Sequence, residues 1–494
     1  MTDPLWSRRL LLAAAGCRSM LEVLPRAIKC STGLSTLGMG TALHASDRIE
    51  ALPQREANIV IVGGGAAGLS AAVSASQAWS ERELKKPLRI VLLEKNAQLG
   101  GDTLISGGYF NAVDSERQMP LGIKDSPSLF FEQMAAAGGN AVQKPLAAKL
   151  VEDALPALHW LERLGIVFLP TVTRIYGAPY PRAHKPALPR GTAYLRALSQ
   201  AALARSVDIQ TECSAQELLL DDDGRAAGLV VESKKSGRFV IKASQGIILA
   251  SGGFGASTEM LQRYAPNLTQ LPRDTVPSNT GAMTMAAERA GAELVDMQFV
   301  ETVPGSRAGF SYPIRLDYLP ERAVFVNADG RRFIDESSDR SSISAAILAQ
   351  KGGAWAVADN ETVKRFDLIE QKNLHRALYA GEAIRAPSLE KLSAEARLPF
   401  KALLDALNEP AVRGRIAHPP FWTVQMHLRV HATLGGIRID EHARVLKSDG
   451  SPIPNLWAAG SCTGGIHGRN RIGGNGINTA VVFGRIAGRK AAQS

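Results

Sequence analysis

NIVIVGGGAAG, residues 58–68, is an apolar run of strand length that ends directly in a glycine-rich turn. A segment rich in Ala and Ser follows as far as Trp79 and has the composition of a helix. Gly63, Gly65 and Gly68 have the GxGxxG spacing of dinucleotide-binding loops, in the order of strand, turn and helix that such loops require. In such a loop Gly63 allows the tight turn, Gly65 lets a pyrophosphate approach the backbone, and Gly68 lets helix and strand pack closely.

A second strand, predicted at residues 88–93, ends at the carboxylate of Glu94. A carboxylate in this place can accept hydrogen bonds from the ribose of an adenosine. The order of strand, glycine turn, helix, strand and acid therefore predicts a dinucleotide site, with the phosphates at the N-terminus of the helix. A glycine-rich turn without a ligand is the alternative, and the motif alone does not separate FAD from NAD.

Small-residue segments elsewhere in the chain favour FAD, because a flavin touches several strand ends of one sheet. Two Gly-Gly pairs stand within residues 100–108, and the predicted strands at residues 246–249 and 455–460 each run into small residues. A predicted helix at residues 475–488 has an N-terminus that can face the same ligand. The expected FAD-binding residues are Gly63, Gly65, Ala67, Gly68, Glu94, Lys95, Gly100, Gly101, Asp102, Thr103, Ser106, Gly107, Gly108, Ala250, Gly252, Gly460, Ser461, Gly474, Asn475 and Ile477.

The composition excludes several classes of protein. Hydrophobic residues make up 45% and charged residues 21% of the 494 residues, which is ordinary for a globular chain with a large core and unlike a disordered, collagenous or coiled-coil one. No CxxC or CxxCH occurs among the four cysteines, so that neither a zinc ribbon nor a c-type haem site is encoded, and we predict no metal site. The net charge of +10 comes from scattered Lys and Arg without an aromatic stacking pattern, so that we expect no nucleic-acid partner.

Residues 1–45 differ from the rest of the chain. Ser7-Arg8-Arg9 is followed at once by the apolar residues 10–16, a pairing that resembles a twin-arginine export signal with cleavage after Ala45. This predicts an exported, periplasmic protein. A cytoplasmic protein with an unprocessed or mis-started N-terminus, or an organellar presequence, is the alternative.

Several passages of the chain resemble the fumarate reductase/succinate dehydrogenase flavoprotein family, in its soluble branch with flavocytochrome c and urocanate reductase. They are residues 100–103, 106–108, 279–281, 296–298, 326–333, 431–436 and 464–475, of which the last is the most specific. The resemblance covers nearly everything from Asn58 to the C-terminus. Members with covalent flavin carry a histidine just before the threonine of the first passage, where this chain has Asp102, so that the resemblance implies non-covalent FAD.

The resemblance also implies a fold and its division along the chain. The expected class is α/β, with a Rossmann-like FAD-binding domain that is split in sequence and an inserted α+β capping domain. The expected boundaries are an export signal at residues 1–45, a first FAD-binding segment at 54–298, the capping domain at 299–430 and a C-terminal FAD-binding segment at 431–494. The active site would lie at the flavin ring, between the two domains.

The family reduces activated alkenes, with a hydride from flavin N5 to one carbon and a proton to the other. The resemblance makes Arg340 the proton donor, and makes His431 and Arg471 the groups that bind the substrate carboxylate. The fork of an arginine suits a bidentate grip on a carboxylate. An arginine is an unusual acid, since its pKa lies above about 12, and it therefore needs a proton relay.

Departures from the family pattern bear on the substrate and on the relay. Val303 stands where fumarate reductases carry a histidine for the far carboxylate, and Leu316 and Leu319 stand where the Glu-x-x-Arg relay is usual. The nearby charged residues that are able to substitute in the relay are Arg315, Asp317, Glu321 and Arg322. We therefore expect a substrate with one carboxylate and a different tail, such as urocanate, an acrylate or an aryl acrylate, and not fumarate itself.

The reaction needs an electron source. Without a CxxCH or a second clear GxGxxG, the sequence predicts a separate donor, such as a cytochrome or a quinol-linked protein. Two other functions stay open at this point. One is an FAD-dependent dehydrogenase that works in the oxidative direction, and the other is a non-catalytic FAD-binding electron carrier.

Overall fold

A computed structural model of the chain describes residues 51–82 and 87–494. The predicted export signal and its cleavage after Ala45 lie outside the described residues. Where the chain is described, none of its helices is both long enough and apolar enough to cross a bilayer.

The described residues contain both strands and helices, with runs of consecutive strands at residues 208–249 and 421–458. The strands are β1 Gln54–Val62, β2 Ile90–Glu94, β3 Phe110–Asn111, β4 Phe168–Thr173, β5 Ala183–Pro186, β6 Asp208–Thr211, β7 Cys213–Leu220, β8 Ala226–Ser233, β9 Gly237–Leu249, β10 Leu294–Val295, β11 Val300–Gly305, β12 Ala323–Asn327, β13 Ala354–Asp359, β14 Ala383–Ala386, β15 Phe421–Gln425, β16 His427–Thr433, β17 Gly436–Arg438, β18 Arg444–Leu446, β19 Pro452–Ala458 and β20 Thr463–Gly464. The α-helices are α1 Ala66–Ser80, α2 Asp102–Ile105, α3 Ser115–Gln118, α4 Pro127–Gly138, α5 Lys144–Arg163, α6 Thr192–Leu203, α7 Thr258–Tyr264, α8 Ala282–Arg289, α9 Arg340–Ala349, α10 Asn360–Lys364, α11 Leu368–Tyr379, α12 Leu389–Ala396, α13 Phe400–Leu407 and α14 Asn475–Gln493. Short 3-10 helices cover Met119–Leu121, Gly139–Ala141, Pro266–Leu268, Pro320–Arg322 and Gly460–Cys462.

The largest sheet runs in the order β18-β19-β9-β1-β2-β6, and β8 and β7 continue it from β9. β1 is parallel to β2 and β9, and β19 is parallel to β9, so that the carboxyl ends of these strands meet at one edge. Ile59 to Val62 and the whole of β2 are buried, which explains why they read as continuous apolar runs and not as alternating ones.

Helices α1 and α14 pack closely against each other, and glycines on α14 permit the approach. A Cβ at Gly484 would lie 2.4 Å from the carbonyl oxygen of Ala67, and one at Gly488 would lie 2.1 Å from that of Ala71. This contact joins the C-terminal segment of the chain to the helix of the glycine-rich turn. The sheet, which has β1 and β19 as members, joins the same two segments.

A second sheet of four antiparallel strands, in the order β12-β13-β15-β14, is built from residues 323–425. It has its own buried clusters, in which Phe325 and Trp422 are almost fully buried. The antiparallel pair of β11 and β16 stands where the chain enters and leaves this part. The architecture is thus α/β with a parallel sheet and a second α+β layer, while the expected boundaries at 298/299 and 430/431 stay predictions.

Candidate active site

A cavity lies at the carboxyl edge of the parallel strands. Thirteen of the predicted FAD-binding residues line it, namely Gly63, Gly65, Ala67, Glu94, Lys95, Gly100, Gly101, Asp102, Thr103, Ala250, Gly252, Gly460 and Ser461. The ends of β1, β2, β9 and β19 all contribute, as expected for a ligand that touches several strands of one sheet. The sequence did not indicate the contributions from residues 213–215, 278–279 and 281–283, which also line the cavity.

The glycines of the turn at residues 63–68 have separate roles in this cavity. Gly63 has φ +111°, and a Cβ on it would lie 2.2 Å from the carbonyl oxygen of Ala250. A Cβ on Gly68 would lie 1.9 Å from the carbonyl oxygen of Gly63, so that both positions exclude a side chain. A Cβ on Gly65 would meet nothing closer than 3.4 Å, which leaves room for the close approach of a pyrophosphate. The glycine turn therefore fits the pyrophosphate of FAD.

Glu94 keeps part of its hydrogen-bonding capacity. Its Oε2 accepts from the backbone N–H of Gly64 at 2.9 Å, and its Oε1 accepts from the backbone N–H and the side-chain amide of Asn96, both at 2.8 Å. A carboxylate has about four lone-pair positions. The three protein donors leave about one of them for a ribose hydroxyl, which agrees with the predicted role.

The other predicted flavin contacts do not line this cavity, but several of them meet one another. They are Gly68, Ser106, Gly107, Gly108, Gly474, Asn475 and Ile477. Asn111, just beyond the second Gly-Gly pair, donates to the carbonyl of Gly473 and to Asn475 Oδ1, both at 2.7 Å. Asn478 donates to the carbonyl of Asn111 at 2.9 Å. Residues 106–111 and the start of α14 are thereby brought together.

Asp102 lines the cavity, but its carboxylate is hydrogen-bonded to other residues of the protein. It accepts hydrogen bonds from Thr275 Oγ1 at 2.8 Å, from the backbone N–H of Val276 at 2.8 Å and from the amide of Asn279. Burial raises the pKa of Asp102 above its ordinary value. The residue therefore fixes the loop at 274–279, a role that its position in a glycine-rich passage did not indicate.

The three predicted catalytic residues come together around one buried glutamate, Glu301. Arg340 Nη1 lies 2.8 Å and Arg471 Nη2 lies 2.7 Å from the same oxygen, Glu301 Oε2. Arg340 is the first residue of α9, whose N-cap is Asp339, and Arg471 lies in the glycine-dense loop before α14. The side chains of these two arginines and of Glu301 are largely buried, with 9%, 11% and 2% exposure for Arg340, Arg471 and Glu301.

His431 is placed beside this cluster by an irregularity in the β11–β16 pair. Glu301 faces Ala432 and Thr302 faces Val430, so that His431 is the extra residue of a β-bulge. Bulges re-aim side chains and are frequent near active sites. The Nδ1 of His431 lies 2.9 Å from Asp274 Oδ2, which orients the ring and leaves Nε2 for a ligand. Asp102 and Asp274 thus act in sequence to position His431.

The electrostatics of the cluster favour a charged Glu301. Burial raises the pKa of Glu301, but Arg340 and Arg471 outweigh burial and lower it to about 2. The pKa of Arg340 is lowered from its ordinary value, because burial disfavours its charged form more than Glu301 stabilises it. A lowered pKa is the direction that an arginine needs if it is to give up a proton.

Of the four substitutes that the sequence offers for the missing relay, Arg315 and Asp317 form a buried pair near the cluster. Arg315 Nε and Nη2 lie 3.0 and 2.7 Å from the two oxygens of Asp317. The guanidinium carbons of Arg315 and Arg340 lie 5.1 and 5.6 Å from the centre of the Tyr176 ring. Tyr176 is therefore the group that both arginines share. Glu321 and Arg322 lie in a 3-10 helix, and Glu321 is exposed.

Sequence reasoning missed Glu301, Asp274 and Tyr176. Glu301 lies two residues before Val303, the position where fumarate reductases carry a histidine. An acidic residue within an apolar strand was the signal that could have identified it. Asp274 and Tyr176 carry no local signal. Val303 and Leu316 are buried in the cluster around the second sheet, which agrees with the loss of polar groups at both positions.

We expect Glu301 to make stability fall as the pH is lowered. Its pKa is about 2 in the folded chain against an ordinary 4.5, so that its contribution is complete above about pH 4.5 and is lost as the pH falls towards 2. Urea unfolding of wild type and Glu301→Gln at about pH 7, 4 and 3 measures this. The difference in free energy of unfolding should be largest at about pH 7 and narrow at about pH 3. A difference that is the same at all three values contradicts the expectation.

Comparison with known proteins places this geometry in a family. A family model described as an FAD binding domain matches residues 58–477. A fumarate reductase (cytochrome) of Shewanella frigidimarina is 31% identical over 473 residues, which cover 92% of this chain and 80% of that protein. A urocanate reductase of Eggerthella lenta is 31% identical over 475 residues, with 90% and 77% coverage.

A solved structure also resembles this chain. The open conformation of a flavocytochrome c3 fumarate reductase matches with a TM-score of 0.71 at 29% identity, over 91% of this chain and 81% of that one. The predictions of an FAD cofactor, of the α/β fold class and of the fumarate reductase resemblance are confirmed. The chain belongs to the FAD binding domain family, among its fumarate reductase-like members, and is an FAD-dependent oxidoreductase.

Proposed function

We propose that the protein reduces the C=C bond of an enoate with one carboxylate, and that the substrate is not fumarate itself. One observation carries the proposal: Arg340 and Arg471 converge on a single buried carboxylate, with His431 beside them. Two arginines and a histidine at one point form a site for a carboxylate on which negative charge builds up. The relatives that reduce fumarate and urocanate, by their names, support the same reaction type.

Each of the three residues has a separate role in this proposal. Arg471 holds the substrate carboxylate through its free N–H groups, and His431, oriented by Asp274, donates to the same carboxylate. Bound FAD supplies the hydride for one alkene carbon. Arg340 gives its proton to the carbon next to the carboxylate and recovers it through its polar neighbours, for which Glu301 and the Arg315–Asp317 pair are the candidates. The product is the saturated acid.

The remaining parts of the proposal follow from the sequence. FAD is held without a covalent bond, because Asp102 replaces the histidine of covalent members and its carboxylate is used by Thr275 and Asn279. Electrons come from a separate donor such as a cytochrome or a quinol-linked protein. Residues 54–298 and 431–494 form the FAD-binding domain, residues 299–430 form the cap, and the protein works in the periplasm after export.

An anaerobic assay with a reduced viologen tests the function on acrylate, urocanate, aryl acrylates and fumarate. We expect the monocarboxylates to be reduced faster than fumarate. Arg471→Lys should raise KM for the preferred enoate at least about tenfold, because a point charge replaces a bidentate fork. Arg469→Lys, an exposed arginine of the same loop, is the control and should leave KM unchanged.

Three results would contradict the proposal. Faster reduction of fumarate than of every monocarboxylate would exclude the proposed substrate class. An absence of turnover on all acids, with flavin bound and reducible, would favour the electron carrier, and oxidation of saturated acids alone would favour the dehydrogenase.

A further inference from the structure

Glu301 places a negative charge at the point where a carboxylate-binding site needs positive charge. Its Oε2 accepts from both Arg340 and Arg471, and no hydrogen-bond donor of the described residues reaches its Oε1. The carboxylate is fully buried, so that water does not screen it. One half of the Glu301 carboxylate therefore keeps its negative charge without a direct donor.

The charges around Glu301 leave room for one further carboxylate. Arg340 and Arg471 carry two positive charges, and Glu301 neutralises one of them. The neighbouring pairs, His431 with Asp274 and Arg315 with Asp317, each contain a carboxylate, so that neither pair adds net positive charge to the site.

Arg429 is a buried arginine on β16, the strand that carries His431. Its guanidinium donates to the carbonyls of Arg273, Ser306 and Arg307, and is thereby committed to the backbone. It does not add to the charge that Arg340 and Arg471 present. A substrate with a single carboxylate balances the site, whereas a second carboxylate would be buried without a partner, which is costly.

The next residue on the same face of the strand that carries Glu301 is apolar. Val303 shares a face of β11 with Glu301, because side chains two residues apart on a strand point the same way. Val303 packs with Ile314 and Leu316 in the buried cluster of the second sheet. No compensating cation thus stands two positions along the strand from Glu301.

We propose that Glu301 is a specificity-determining residue, which excludes dicarboxylates from the site by charge and restricts it to substrates with one carboxylate. The inference rests on the proposed function and deepens it, since it names the group that sets the substrate class. Without the charge on Glu301, the two arginines would match two carboxylates. The carboxylate acts on the substrate by like-charge repulsion in a buried place.

The test compares Glu301→Gln with wild-type holoenzyme. Glutamine keeps the shape and one acceptor while it removes the charge. We expect the ratio of kcat/KM for fumarate to that for the preferred monocarboxylate to rise at least about tenfold, equivalent to about 1.4 kcal/mol. A ratio is insensitive to the fraction of active enzyme, so that a partial loss of folded protein does not affect it.

Glu336→Gln is the matched control. Glu336 is also a fully buried glutamate that accepts from two arginines, Arg332 and Arg415, and its third donor is the backbone N–H of Phe325, so that none of these donors is a residue of the site. Its substitution should leave the ratio unchanged. The inference is overturned if Glu301→Gln lowers kcat/KM by the same factor for both substrates, or if Glu336→Gln changes the ratio as much as Glu301→Gln does. Glu301 would then have a role in proton supply or in structure.

A binding measurement separates this inference from the proposed reaction. Succinate and propionate are titrated into oxidised holoenzyme, and the perturbation of the flavin absorbance gives Kd. Glu301→Gln should improve the affinity for succinate relative to propionate at least about tenfold. If wild type reduces no enoate, the proposed function fails while this shift still supports Glu301 as the charge filter. If wild type reduces enoates and the relative affinity does not shift, the inference alone fails.

Discussion

Replacing Arg340 by alanine is expected to lower kcat for enoate reduction about 10²- to 10⁴-fold, the usual contribution of a positioned general acid. The FAD content should change much less, whereas the affinity for the substrate should also fall, because Arg340 supplies one of the two positive charges that balance Glu301 and the substrate carboxylate. The guanidinium of Arg340 forms an ion pair with Glu301, and burial lowers the pKa of Arg340. The loss should therefore appear in the protonation of the substrate and not in the reduction of the bound flavin by viologen.

The chain offers a close control for this substitution. Arg332 also contacts a buried carboxylate, Glu336, which has a second arginine partner in Arg415, just as Glu301 has Arg471. Arg332→Ala should cost stability but leave kcat of the folded enzyme within about threefold of wild type. If Arg340→Ala keeps kcat within about tenfold of wild type, another group delivers the proton.

Replacing Gly63 by alanine is expected to abolish FAD binding and to destabilise the fold by about 3 kcal/mol or more, since strain and overpacking add. The backbone at Gly63 has φ +111°, and the new Cβ would lie 2.2 Å from the carbonyl oxygen and 2.8 Å from the carbonyl carbon of Ala250. Both atoms belong to the backbone next to β9, a strand in the middle of the sheet, and cannot move aside cheaply. FAD retained after gel filtration and the melting temperature measure the two effects.

Two further glycines separate the causes. Gly224 has φ +75° in a turn with no atom within 4 Å of its Cβ position, so that Gly224→Ala tests backbone strain alone and should keep FAD. Gly65 has an extended backbone and room for a Cβ, so that Gly65→Ala should keep the melting temperature of the apoprotein and weaken FAD binding. Full FAD binding by Gly63→Ala would show that the turn is not part of the cofactor site.

The local patterns predicted the dinucleotide end of the molecule well, although they misjudged lengths. The run at 58–62 is the end of a strand that begins at Gln54, and the strand expected at 246–249 begins at Gly237. The added residues of β9 mix exposed and buried positions: Gly237, Arg238, Lys242 and Ser244 are exposed, whereas Phe239 to Ile241 are buried. Exposed and polar residues interrupt the apolar run there, so that it is a weaker signal than the continuous buried run at 246–249.

The sequence by itself determined the glycine turn at residues 63–68, because its residues stand close together along the chain, whereas Arg340, His431 and Arg471 were expected from the resemblance to the fumarate reductase family. The tertiary structure decided what surrounds them. Glu301 meets Arg340 across 39 positions and Arg471 across 170, and Asp274 meets His431 across 157. Such pairs form only when distant strands and loops are packed together, and burial then decides whether their charges attract, exclude a substrate or shift a proton. The charge balance of the site is for this reason a property of the fold and not of any motif.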